Sequence, residues 1–202
     1  MKIRFLIIYT FLLFIITESV LAQEPSTSVS SALQINKLKE GTLLIKLNTQ
    51  SERINIRLKT GQEKKAQKLI EEIEKEHSQI IASFKEHYTF SDYYFFLSDD
   101  SDEVILKKNY KFLFKTNKED KTPANNIKNP FILLLGVPPG YSTVDKYKFI
   151  LHELGDDGIE RILKPMPKVF KTQSKKLFSN SYNFNRAVKV MQERLIKYQN
   201  KV

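Results

Sequence analysis

Nine positions between residues 62 and 88 constrain this chain more than any other feature. Ala66, Leu69, Ile70, Ile73, His77, Ile80, Ile81, Phe84 and Tyr88 follow one another at steps of three, one or four, so a helix would carry them on one stripe. Lys64, Lys65, Lys68, Glu71, Glu72, Lys75 and Glu76 fill the remaining positions with both signs of charge. A stripe of this length has to be covered by a sheet or by another helix.

Strand patterns stand on both sides of it. Gly41 opens a run in which Leu43, Ile45 and Leu47 alternate with Leu44 and Lys46. Tyr93-Tyr94-Phe95-Phe96-Leu97 is too aromatic and too short for a surface helix and predicts a buried strand. Strand, helix and strand in that order predict a parallel pair with a helical crossover. Residues 51–60 offer an earlier helical stretch that breaks near Gly61. Tyr110 to Phe114 and Phe131 to Leu135 are further strand candidates, separated by a polar loop at 116–129. Gly136 to Gly140 predicts a turn.

Tyr147 to Leu154 and Ile159 to Leu163 flank Gly155-Asp156-Asp157-Gly158, residues that tolerate positive φ and so predict a hairpin. Lys164-Pro165-Met166-Pro167 is expected to be extended, because proline disfavours helix before it. A last helix is expected from Asn183 or Asn185, burying Ala187, Val188, Met191, Leu195 and Tyr198. The expected class is α+β or α/β: a mixed sheet of five to seven strands with the long amphipathic helix and a C-terminal helix packed on it. The order of elements loosely resembles thioredoxin-like domains. Yet the chain has no cysteine, which excludes their redox chemistry along with disulfides and thiolate metal sites.

The N-terminus points to export. Lys2 and Arg4 precede an apolar run from Phe5 to Ile16, and Val20-Leu21-Ala22 has the spacing a signal peptidase accepts. Twelve helical residues reach about 18 Å, short of a hydrocarbon core of roughly 30 Å, which argues against a membrane anchor. The predicted organisation is a signal peptide at 1–22, a flexible Ser- and Thr-rich leader at 23–40 and one globular domain at 41–202. No transmembrane segment is expected after cleavage.

The search for chemistry returns little. The three histidines, His77, His87 and His152, are too scattered for a shared metal and form no H-E-x-x-H pair. The acidic run Asp99-Asp100-Ser101-Asp102-Glu103 fails the EF-hand register and predicts a solvated turn, with a cap for a short helix as its structural use. Gly140-Tyr141-Ser142-Thr143-Val144 lacks the closing glycine of a nucleophile elbow. No glycine-rich nucleotide loop is present, so neither a metal nor another cofactor is expected.

Charge is the informative asymmetry. Residues 164–202 carry ten Lys or Arg against the single acid Glu193, while residues 23–163 balance at 21 of each sign. Lys164, Lys168, Lys171, Lys175, Lys176, Arg186, Lys189 and Lys197 form the candidate anion-binding surface, with an anionic polysaccharide or a membrane surface as the expected partner. Nucleic acid is not expected, because no binding motif is present and export removes the chain from it.

With these elements placed, the chain resembles a family of uncharacterised small exported proteins of Bacteroidota-type bacteria. The resemblance runs from about Gly41 to the C-terminus and rests on Gly41-Thr42-Leu43, the long helix, Tyr94-Phe95-Phe96 and Lys164-Pro165-Met166-Pro167. It implies a periplasmic or secreted location and assigns no catalytic or binding residue. The functional expectation is an exported, non-enzymatic binding or envelope-accessory protein. The alternative is an envelope-directed hydrolase, whose acid–base pair would leave no local signature.

Overall fold

The computed structural model describes residues 27–117, 119, 126–136, 148–155, 158–160, 162, 166–171 and 183–202. The expected signal peptide at 1–22, residues 137–140 of the expected turn, Ser142, Asp156, Asp157, Lys164, Pro165, Lys175 and Lys176 lie outside those residues. Along the chain come helix α1 (Thr27–Glu40), strand β1 (Thr42–Leu47), helices α2 (Ser51–Lys59) and α3 (Glu63–His87), and strand β2 (Asp92–Leu97). Short helical turns follow at Ser98–Asp100, Asp102–Leu106 and Tyr110–Phe112. Strands β3 (Pro130–Gly136), β4 (Lys148–Gly155), β5 (Gly158–Glu160) and β6 (Val169–Lys171) lead to helix α4 (Phe184–Gln199).

The sheet is mixed, with order β2-β1-β3-β4-β5 and β6 also paired to β4. β1 runs parallel to both β2 and β3, whereas β4 is antiparallel to β3, β5 and β6. β5 pairs with residues 153–155 of β4 and β6 with residues 148–150, so the two share the edge of β4 that faces away from β3. This is the mixed sheet with packed helices that the sequence predicts.

Both faces of the sheet are covered, which is why its central strands read as nearly unbroken apolar runs. Leu43, Ile45, Leu47, Phe95, Phe131, Leu133, Phe149 and Leu151 point to one side, where Ile80 and Phe84 of α3 and Val188, Met191 and Leu195 of α4 meet them. Leu44, Phe96, Ile132 and Leu154 point to the other and are covered by Val104, Ile105 and Leu113. Phe84 sits at the aromatic centre, with its ring centroid 5.8 Å from that of Phe95 and 5.9 Å from that of Phe149, both edge to face.

The α2–α3 junction shows how local sequence sets the path. Gly61 adopts φ 69° just after α2. Its N–H donates to the Leu58 carbonyl at 3.1 Å, and the Gln62 N–H donates to the Arg57 carbonyl at 2.8 Å. This Schellman arrangement satisfies carbonyls that the helix end leaves open.

Two expectations change. The leader predicted to be flexible over 23–40 contains α1, in which Ile35 and Leu38 are fully buried. Its Ser and Thr residues give a poor helix signal, and tertiary contacts supply what propensity lacks. Gln34 Nε2 donates to Glu153 Oε2 at 2.6 Å, Lys37 Nζ donates to Glu153 Oε1 at 2.9 Å, and Ser31 Oγ accepts from the Tyr198 hydroxyl at 2.8 Å. Tyr110–Phe112 is a helical turn, so Tyr110 to Phe114 is not a strand. Its alternating aromatics pack on one face of the sheet and across its edge, and only Phe114 bridges to Phe95. The two helices expected on the sheet are α3 and α4, and the helical stretch expected at 51–60 is α2, which packs on α3.

The hairpin does form, with Gly155 opposite Gly158 and Gly158 at φ 121°.

Candidate functional site

Helix α4 carries the part of the candidate surface that the structure describes best. Asn183 is its cap, with the side-chain oxygen accepting from the Arg186 N–H at 2.9 Å. Phe184, Ala187, Val188, Met191 and Leu195 are buried, and Tyr198 packs partly against the same core. The helix cannot roll about its axis, because polar contacts pin it at both ends. Gln192 binds residue 89 twice, its Nε2 donating to Thr89 Oγ1 at 2.8 Å and its Oε1 accepting from the Thr89 N–H at 3.1 Å. Asn185 accepts from the Ser83 hydroxyl of α3, and Tyr198 donates to Ser31 of α1.

With the apolar face sunk, Arg186, Lys189 and Lys197 are all exposed on the outer side. Arg194 has a second use, its guanidinium lying 5.1 Å from the centroid of the Phe170 ring in β6. The other candidates separate. Lys168 is half-buried beside β6, and its carbonyl accepts from the Leu151 N–H at 2.8 Å. Lys171 lies in β6 opposite Lys148. The structure thus brings together Arg186, Lys189 and Lys197 on one helix face, leaves Lys168 beside β6 and Lys171 within it, and does not describe Lys164, Lys175 or Lys176.

The acidic run does something the sequence only half reveals. Asp99 lies at the carboxyl end of β2, beside the carboxyl end of the parallel strand β1. Its carboxylate accepts from Thr49 Oγ1 and from Ser51 Oγ, each at 2.6 Å, at the start of α2. Ser98 Oγ accepts from the Thr49 N–H at 2.9 Å. Asp99 stays exposed, as the solvated turn predicts, and its carboxylate also ties this turn to the residues that open α2. Glu103 is drawn to Lys107 and Asn109, whose hydrogen bonds hold its carboxyl below the ordinary range. Among the described residues no cluster of three or more His, Cys, Asp or Glu could hold a metal ion.

His77 is buried on the α3 stripe, and its Nε2 lies 3.1 Å from the Asn48 carbonyl, which can only accept. That contact ties α3 to the loop after β1. A polar cleft of about 360 Å³ opens beside it, bounded by Glu74, His77, Ser78, Ile81, Thr116, Asn117 and Glu119.

At the edge of β2, Lys115 lies 4.8 Å from the Tyr94 ring centroid and 2.6 Å from Asp92 Oδ1. Burial works against its ammonium, but the Asp92 carboxylate and the neighbouring tyrosines hold its pKa above the ordinary value.

Among the described residues no helix is long and apolar enough to cross a membrane. No protein-family model, no curated protein and no solved structure matches the chain.

Proposed function

We propose that this chain is an exported, non-enzymatic binding protein that meets an anionic partner through the outer face of α4. The observation that carries this reading is the division of α4 into a buried apolar side and an outer side bearing Arg186, Lys189 and Lys197. A capped, pinned helix presents these cations with little loss of backbone freedom on binding, which favours association. Export is part of the reading and is supported by Lys2, Arg4, the apolar run from Phe5 to Ile16 and Val20-Leu21-Ala22.

Retention on a dextran sulfate column tests the anion-binding half. Wild type should elute later than a variant with Arg186→Gln, Lys189→Gln and Lys197→Gln, and the gap should close as salt shortens the Debye length from about 30 Å at 0.01 M to about 10 Å at 0.1 M. Identical elution of the two proteins would reduce the basic face to a solvated surface. For export, intact mass of the protein recovered outside the cytoplasm should place its first residue at Gln23, and a retained Met1 in that fraction counts against cleavage.

A further inference from the structure

We infer that the outer face of α4 docks on an anionic lipid bilayer, an inference that rests on the anion-binding reading above and names the partner. Arg186, Lys189, Glu193, Ile196 and Lys197 are exposed. At 100° per residue they fall within an arc of about 100°. Glu193 offsets one of the cations. Ile196 is 40% exposed among them, and Val202 just past the helix is 56% exposed. A sulfated or carboxylated sugar chain gains little from an exposed isoleucine. A bilayer gains from both kinds of residue, since anionic headgroups attract the cations and the interface accepts apolar side chains to a depth of about 5–10 Å.

Chain length places the same face near a membrane. The Tyr198–Ser31 hydrogen bond of 2.8 Å joins the last turn of α4 to α1. Residues 17–26 are all that separate the apolar run from Thr27. Ten residues span at most about 36 Å, so an apolar run lodged in a bilayer would keep Thr27, the start of α1, within about that reach of it. Cleavage after Ala22 would leave a new ammonium group at Gln23, within about 14 Å of Thr27. A second copy of the chain is a poor occupant for this face, because it would oppose like charges.

The experiment is co-sedimentation of the protein, as the host processes it, with phosphatidylcholine vesicles with or without phosphatidylglycerol. Wild type should pellet with the anionic vesicles at low salt, stay in solution with neutral ones, and be released by high salt, which removes the attraction without touching the fold. The Arg186→Gln, Lys189→Gln, Lys197→Gln variant should partition about 100-fold more weakly, at roughly fivefold per cation. Ile196→Ser should weaken vesicle binding several-fold while leaving dextran sulfate retention as in wild type. Equal pelleting with neutral vesicles, or unchanged vesicle binding by Ile196→Ser, overturns the inference. Salt-sensitive retention on dextran sulfate without vesicle binding also overturns it, yet leaves the anion-binding reading intact. If neither support is bound, both readings fail.

Discussion

The Asp99 carboxylate accepts the Ser51 hydroxyl at 2.6 Å, a contact across 48 residues that joins the loop after β2 to the first residue of α2. Its other oxygen takes the Thr49 hydroxyl, also at 2.6 Å. The residue before α2, Gln50, sits at φ 50° and makes no side-chain cap of its own. The negative group that favours a helix N-terminus therefore arrives from the neighbouring parallel strand.

Asp99→Ala should cost about 0.5–1.5 kcal/mol, the range of an intramolecular hydrogen bond lost on the surface. Asp99→Asn, which keeps an acceptor, should cost less. Urea unfolding checks both, and a midpoint for Asp99→Ala equal to wild type would show that the contact contributes nothing to stability.

Leu38→Ala should cost about 2–5 kcal/mol if α1 is part of the core. Amides of residues 35–40 should also resist hydrogen exchange far longer than those of a free leader. Exchange within seconds at these positions, or a urea midpoint indifferent to the substitution, would return the segment to the status of a tail.

Two glycines give opposite expectations. A Cβ on Gly41 would lie 2.5 Å from the carbonyl oxygens of both Asn129 and Lys37, so Gly41→Ala must push apart α1 and the approach to β3. At Gly61 nothing lies within 4 Å, and only φ 69° resists a side chain. Gly61→Ala should cost about 1–2 kcal/mol from left-handed backbone strain, and Gly41→Ala distinctly more. Thermal melts that rank the two the other way would contradict the close approach at Gly41.

Burial raises the pKa of Glu76 above the ordinary carboxylate value. The folded state then holds its proton more tightly than the unfolded chain, so this group lowers stability as pH rises through that window. Glu76→Gln should melt at a higher temperature than wild type at pH 7, while the two should melt together below the unfolded carboxylate pKa of about 4.3. A Gln variant less stable than wild type at pH 7 would mean that the carboxylate has a favourable partner.

Some elements are determined by residues close in sequence. The stripe from Ala66 to Tyr88, the Asn183 cap, and the glycines at 155 and 158 each specify a local geometry through spacing or backbone freedom. The structure places α3, α4 and the β4–β5 hairpin where those signals lie. The ten cations after residue 163 are likewise countable in the sequence. Their grouping is only partly so, because helical periodicity puts Arg186, Lys189 and Lys197 together but has no bearing on Lys168 or Lys171.

What tertiary structure alone decided depends on residues far apart. Thr27–Glu40 has weak helix propensity and becomes ordered through Glu153, Tyr198 and the core around Ile35 and Leu38. Tyr110 to Phe114 has the alternation of a strand, yet Tyr110 and Phe112 pack in one cluster and Phe114 in the other, and only one residue pairs with the sheet. Asp99 looks like one acid among several until the parallel pairing of β1 and β2 sets it against Thr49 and Ser51. Propensity and periodicity act over a few residues, whereas burial and hydrogen bonding act wherever the folded chain brings surfaces together.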